Sequence, residues 1–329
     1  MKRIHWMALL ILVLLAACQT QKNEKIRIII DSDTNNELDD QHALAYAFLN
    51  SKVFDIAGVT VNNTFGGDGI QGQYDEAERI IKLFNLDGKL PLLKGADKSY
   101  EDIAPHINEE GFDGQAAVDF IISEAMKMKK GKLVLAPIGK LTNIALAILK
   151  EPKIIDKIKV VWLGGNYPNP GEYNLENDLK AVNPVIESGV EFEMVTVRYG
   201  LPTATDAVRV TPDEVNKYLA GKGPLSKNTI IGRHGGEFNR FGDYSKNLFD
   251  HAQMNGYPPS RPLFDMVVIA ILKNPGWGTP HEIPAPKLVG QAWEDQPENP
   301  HKIIYWDEFN RDAIVNDLFT QMEAATPKN

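Results

Sequence analysis

Five acids fall within ten residues of this chain: Asp31, Asp33, Glu37, Asp39 and Asp40. They follow the branched apolar run Ile28-Ile29-Ile30 and precede a stretch with helical spacing of apolar residues. In open α/β sheets, ligands sit beyond the carboxyl ends of strands. Carboxylates gathered there repel one another unless a cation neutralises them, and hard oxygen ligands favour Ca²⁺ or Mg²⁺. Two plainer readings stand beside this one. Asp39 or Asp40 alone serves as a helix cap or dipole partner, which accounts for one acid and not five. An EF-hand loop opening at Asp31 matches at Asp33, Asn35 and Asp39. It lacks the turn glycine, where Asn36 stands, and the bidentate Glu, where His42 stands.

The elements that must hold these acids follow from the apolar pattern. Strands are expected at 26–30, 54–61, 89–93, 132–136, 158–163, 192–197 and 301–306. Helices are expected at 39–50, 74–84, 115–128, 142–149, 263–272 and 313–322. Continuous apolar strands alternating with helices argue for an α/β fold. Its centre is a Rossmann-like, mostly parallel sheet covered by helices on both faces. Residues 232–262 are rich in Gly, aromatics and His and lack clean periodicity until Asn247, so their first half reads as a loop or lid. One domain over 26–327 is the economical division.

The 43% apolar content supplies an ordinary globular core. The net charge of −9 and the lack of a long basic run count against nucleic acid as a partner. The first residues read as an export signal: Lys2 and Arg3, then an apolar run from Trp6 to Ala17 too short for a permanent span. The run ends in Leu15-Ala16-Ala17-Cys18, which resembles the lipobox of bacterial lipoproteins. That resemblance implies cleavage after residue 17, lipidation of Cys18, a tether over 18–25, and an exported protein anchored to a membrane. Cys18 is the sole cysteine and so forms no internal disulfide.

Six ordered segments together resemble the inosine–uridine nucleoside hydrolase family. The first is the apolar strand with Asp31, Asp33, Asp39 and Asp40; the second is Gly58-Val59-Thr60-Val61-Asn62-Asn63. Pro137-Ile138-Gly139-Lys140-Leu141-Thr142-Asn143-Ile144-Ala145 follows, then Trp162-Leu163-Gly164-Gly165, Glu172-Tyr173-Asn174 and Leu263-Phe264-Asp265. The resemblance implies hydrolysis of the N-glycosidic bond of a ribonucleoside or related N-riboside with a Ca²⁺-bound water. It implies Asp33, Asp40 and Asp265 as side-chain metal ligands and Ile138 as a ligand through its carbonyl. Asp33 would also take the proton of the water, and Asp39, Asn63, Glu172 and Asn174 would hold sugar hydroxyls. Asn62 is the alternative to Asn63, and Thr142 and Asn143 read as helix caps. Members are often homo-oligomers.

The chain departs from the family pattern twice. Five residues separate Asp33 from Asp39 where three are usual, which could bring Asn35 or Glu37 into the site. Phe264 stands where the family often has a His that protonates the leaving base, and only residue type suggests His106, His234 or His251 as a substitute. Two alternatives remain open. One is a non-catalytic lipoprotein that binds a sugar or nucleoside. The other is a haloacid-dehalogenase-like phosphohydrolase, whose Asp-x-Asp-x-Thr/Val motif the segment matches except at Asn35.

Overall fold

A computed structural model of the protein describes residues 24–328; the signal segment, Cys18 and most of the tether lie outside the described residues. An eight-stranded sheet forms the centre. Its strands are β1 (Ile26–Ser32), β2 (Phe54–Val61), β3 (Leu92–Lys94), β4 (Leu133–Pro137), β5 (Ile158–Leu163), β6 (Glu191–Val195), β7 (Thr279–Pro284) and β8 (Lys302–Asp307). The order across the sheet is β7-β8-β6-β5-β4-β1-β2-β3. Every pairing is parallel except that of the edge strand β7 with β8.

Both faces are buried, which explains why the strands read as continuous apolar runs rather than alternating ones. Ile28 and Ile30 of β1 pack into one hydrophobic cluster and Ile29 into the other. Val134 and Leu135 of β4, and Val161 and Trp162 of β5, divide between the clusters in the same way. Full burial of each such side chain stabilises the fold by about 1.5–3 kcal/mol.

The chain order turns over between β1 and β4, whose Asp31 and Pro137 lie side by side. A crevice opens beyond the strand ends at such a switch point. Two helices start beside it: α1 (Asp39–Leu49) follows β1, and α2 (Thr142–Lys150) follows β4.

Several boundaries differ from the sequence reading. The edge strand β7 was not expected; Pro280 and Pro284 hide it, and an edge strand tolerates proline. The helix expected from Tyr74 begins at Gly69, after a glycine-rich turn that masks its first residues. The largest correction falls in 232–262, whose first half reads as a loop or lid: a helix already begins at Phe241 and runs to His251. Gly242 obscures its pattern. That glycine is there for contact: a Cβ would lie 1.9 Å from the Leu219 carbonyl oxygen.

Candidate active site

The floor of the crevice is built where β1 runs out. Asp31 is fully buried and faces inward: its carboxylate accepts from Thr60 Oγ1 at 2.6 Å, Asn143 Nδ2 at 2.7 Å and Asn62 Nδ2 at 3.0 Å. Burial pushes it up to about 6 against these bonds. Asn143 also accepts from the Ala96 N–H at 2.8 Å. It therefore ties the ends of β1, β2 and β3 to α2 and neither caps a helix nor faces the cleft.

Asp33 lies two residues on, at the cleft. Thr64 Oγ1 donates to its Oδ2 at 2.7 Å, and burial first, then the charge of Asp31, pushes it up to about 7. Gly139 presses against it; a Cβ there would lie 2.8 Å from Asp33 Oδ1.

Asp39 and Asp40 open α1, whose N-cap, Leu38, makes no side-chain cap bond. The positive helix end favours acids there, yet burial and the neighbouring carboxylates dominate. Asp39 rises to about 7, and Asp40, despite a 2.6 Å bond from Ser32 Oγ, rises well above the carboxylate range. Asp265 precedes helix α3 (Met266–Lys273) at its N-cap position without making a side-chain cap bond. Its carboxylate turns to Asp39 and Asp40 instead, and burial and their charge raise it strongly. Carboxylate oxygens of Asp39, Asp40 and Asp265 lie within 4.8 Å of one another, all buried. Three anions so close in a dry site cannot all ionise without a compensating cation, so this donor set suits a hard divalent ion.

Glu172 and Asn174 reach the cleft from the turn after β5. Glu172 is buried in a strained backbone conformation (φ 148°), held by N–H bonds from Gly165, Asn174 and Leu175 at 2.8–3.0 Å. Burial lifts it to about 7. Asn174 Nδ2 donates to the carbonyls of Ile138 at 3.1 Å and Leu163 at 3.0 Å. Its amide oxygen remains to accept from a ligand.

These residues line one cleft of about 1250 Å³. The structure brings together Asp33, Asp39, Asp40, Ile138, Glu172, Asn174 and Asp265. Asn63 is not part of that lining: its N–H bonds to the Ala96 carbonyl at 3.0 Å, and its side-chain oxygen is buried without a partner. Nor do the three histidines line it. His234 and His251 stack on each other with centroids 4.6 Å apart, and His106 pairs with Glu109 on the exterior. Phe264 lines the cleft edge-on to the half-exposed Tyr199, with centroids 5.8 Å apart. Glu37 also lines the cleft, its carboxylate on Arg261 and its carbonyl on Arg233. Asn35 turns away, to Gln73 and Gly67.

Sequence reasoning missed Thr64, Tyr199 and Arg261. The first carries a readable signal, a hydroxyl three residues past the end of β2. The other two arrive from irregular segments that no periodicity places.

The rest of the comparison comes from known proteins. The family model described as inosine-uridine preferring nucleoside hydrolase matches residues 28–314. The pyrimidine-specific ribonucleoside hydrolase RihB of Escherichia coli strain SE11 is 29% identical over 230 residues, covering 62% of this chain and 68% of that protein. Among solved structures, a purine-preferring ribonucleoside hydrolase from Gardnerella vaginalis superposes with a TM-score of 0.69 at 21% identity, covering 91% of this chain and 98% of the other. An inosine-uridine preferring nucleoside hydrolase from Bacillus anthracis gives 0.66 at 16% identity, covering 92% and 100%. At such identities the structural matches show the α/β fold; the family model reaches further, spanning both the β1 acids and Asp265. The chain belongs to the inosine-uridine preferring nucleoside hydrolase family, whose metal-dependent members cleave the N-glycosidic bond of ribonucleosides.

Proposed function

We propose that this ribonucleoside hydrolase depends on Ca²⁺, and that it is exported and held at a membrane through a lipid on Cys18. The observation that carries the metal is the buried group of Asp39, Asp40 and Asp265, drawn from two distant stretches of chain to within 4.8 Å. Asp40 and Asp265 belong both to this group and to the ligand set implied by the sequence resemblance. Asp33 and the Ile138 carbonyl complete the set. When bound, the ion neutralises the carboxylates and orients a water and the ribose.

The chain's own residues supply the remaining chemistry. Asp33, oriented at the cleft by Thr64, is placed to take a proton from water. Asp39, Glu172 and the Asn174 amide offer directional bonds to sugar hydroxyls, and a substrate lacking a hydroxyl leaves one of them unpaired. As the glycosidic bond stretches, positive charge grows on the sugar, and the surrounding carboxylates stabilise it.

The test is release of free base from a panel that includes uridine and inosine, with Ca²⁺ and with a chelator. Turnover is expected only with the metal. An Asp33→Ala chain that keeps full activity defeats the reading. Phe264 favours one second reading, capture of a riboside without cleavage; product accumulating over many cycles excludes it. For the anchor, Cys18→Ser is expected to move the protein from the membrane fraction to the soluble one, since each acyl CH₂ contributes ~0.8 kcal/mol of membrane affinity. Retention of the variant in the membrane would refute the anchor.

A further inference from the structure

The cleft poses a proton problem. A neutral base leaving the sugar takes the bonding electron pair and must be protonated or carry negative charge. The histidines that could have donated lie elsewhere, Phe264 and Tyr199 present an aromatic pair beside Asp265, and the phenols of Tyr173 and Tyr199 on the same wall are made weaker acids by burial. The three lining arginines hold their protons at any working pH.

Charge points the same way. Nine carboxylates and three arginines line the cleft. Each arginine is already matched: Arg209 to Asp206 at 2.9 Å, Arg311 to Glu214 at 2.5 Å, and Arg261 to Glu37. Among the described residues lining the cleft, no cation is left over to repel a positive ligand. Even with a divalent ion bound, the cleft keeps a negative surplus, and the Phe264 ring on its wall is an aromatic partner for a cation.

We infer that the preferred substrates are ribosides whose glycosidic nitrogen already carries the positive charge, the N-ribosylpyridinium class. The inference rests on the hydrolase reading above and names the leaving group that this cleft serves. The C1′–N bond breaks and its electron pair returns to the ring nitrogen, which leaves as a neutral pyridine. The water oxygen bonds to C1′, and the water's proton passes to Asp33 and then to solvent. No proton is owed to the leaving group. Positive charge moves during the step from the ring to the sugar carbon, towards Asp39 and Glu172, which arginines do not neutralise. That is stabilisation realised in the transition state rather than in the bound substrate.

The full chain with Ca²⁺ is assayed on nicotinamide riboside, uridine and inosine, reading kcat and KM. We expect kcat/KM for nicotinamide riboside to exceed both others by ~100-fold, the lower end of what a general acid supplies to a neutral base. Because pyridinium is intrinsically the better leaving group, two variants separate the protein's contribution. Phe264→His provides a proton donor and should narrow that ratio by ~10-fold or more. Phe264→Leu removes the ring and should raise KM for nicotinamide riboside more than for uridine. Equal or faster cleavage of uridine or inosine overturns the inference while leaving the hydrolase reading intact. So does a ratio that neither variant moves. Absence of turnover on all three substrates overturns both.

Discussion

Asp33 shows how the carboxylate proposed as the base is also a liability to the fold. Buried beside Asp31 it is costly to ionise, and among the described residues only Thr64 gives it a side-chain hydrogen bond. Thr64→Val keeps the shape and removes that bond. Groups that orient metal ligands and bases contribute ~10–100-fold, so activity or Ca²⁺ affinity should fall by that factor with the fold intact. Steady-state kinetics across a Ca²⁺ titration would check this; unchanged kinetics would show that Thr64 orients nothing. Gly139→Ala tests the opposite wall. The new methyl would sit 2.8 Å from Asp33 Oδ1 and from the Asn62 amide, so these buried side chains or the loop after β4 must give way. The expected outcome is loss of most activity together with lower thermal stability, read by turnover and by a melting curve.

At the scale of elements, the crevice depends on ties between segments that no local pattern links. Asn143 is the clearest: one side chain on α2 reaches Asp31 on β1, the Val61 carbonyl on β2 and the Ala96 N–H beyond β3. Asn143→Leu leaves a buried carboxylate and a buried N–H short of partners, at a cost of about 1–3 kcal/mol. A lowered urea midpoint with an unchanged slope is the expected reading. The loop 34–38 is tied differently, by Glu37 to Arg261 and Arg233. Glu37 is substantially exposed, so Glu37→Ala should change global stability by less than about 1 kcal/mol. Faster hydrogen exchange confined to 34–38 should accompany it. A large global loss would mean the pair does more than hold a loop.

Across the whole molecule, the raised carboxylates couple folding to pH and to metal. Asp33 and Asp39 stand near 7 in the fold against an ordinary 3.8, so the folded state holds protons that the unfolded chain has released. Their contribution to stability is fully present below about pH 4 and is lost as pH rises through about 7. Without divalent ions, the melting temperature should therefore decline across that window. Bound as proposed, Ca²⁺ would replace the protons as the compensating charge, so its stabilising effect should grow with pH and its binding should release protons. Melting curves at pH 5 and pH 7.5, with chelator and with Ca²⁺, check the sign. A metal effect independent of pH would show that these acids do not hold the ion.

The sequence alone determined the alternating α/β order, the buried parallel strands and the acids at the end of β1, because those features rest on local hydrophobic period and on spacing along one segment. The resemblance that added Ile138, Glu172, Asn174 and Asp265 also rested on short contiguous motifs, and the cleft contains all four. Only the tertiary structure decided what the distant pieces do to one another. It put Asp265 against Asp39 and Asp40, made Asn143 a strand tie, left Asn63 off the cleft lining, and paired Glu37 with Arg261. It also stacked His234 on His251 away from the site. Charge repulsion, burial and hydrogen-bond satisfaction act through space between residues as far apart in the chain as Asp39 and Asp265, and no periodicity in the chain records them.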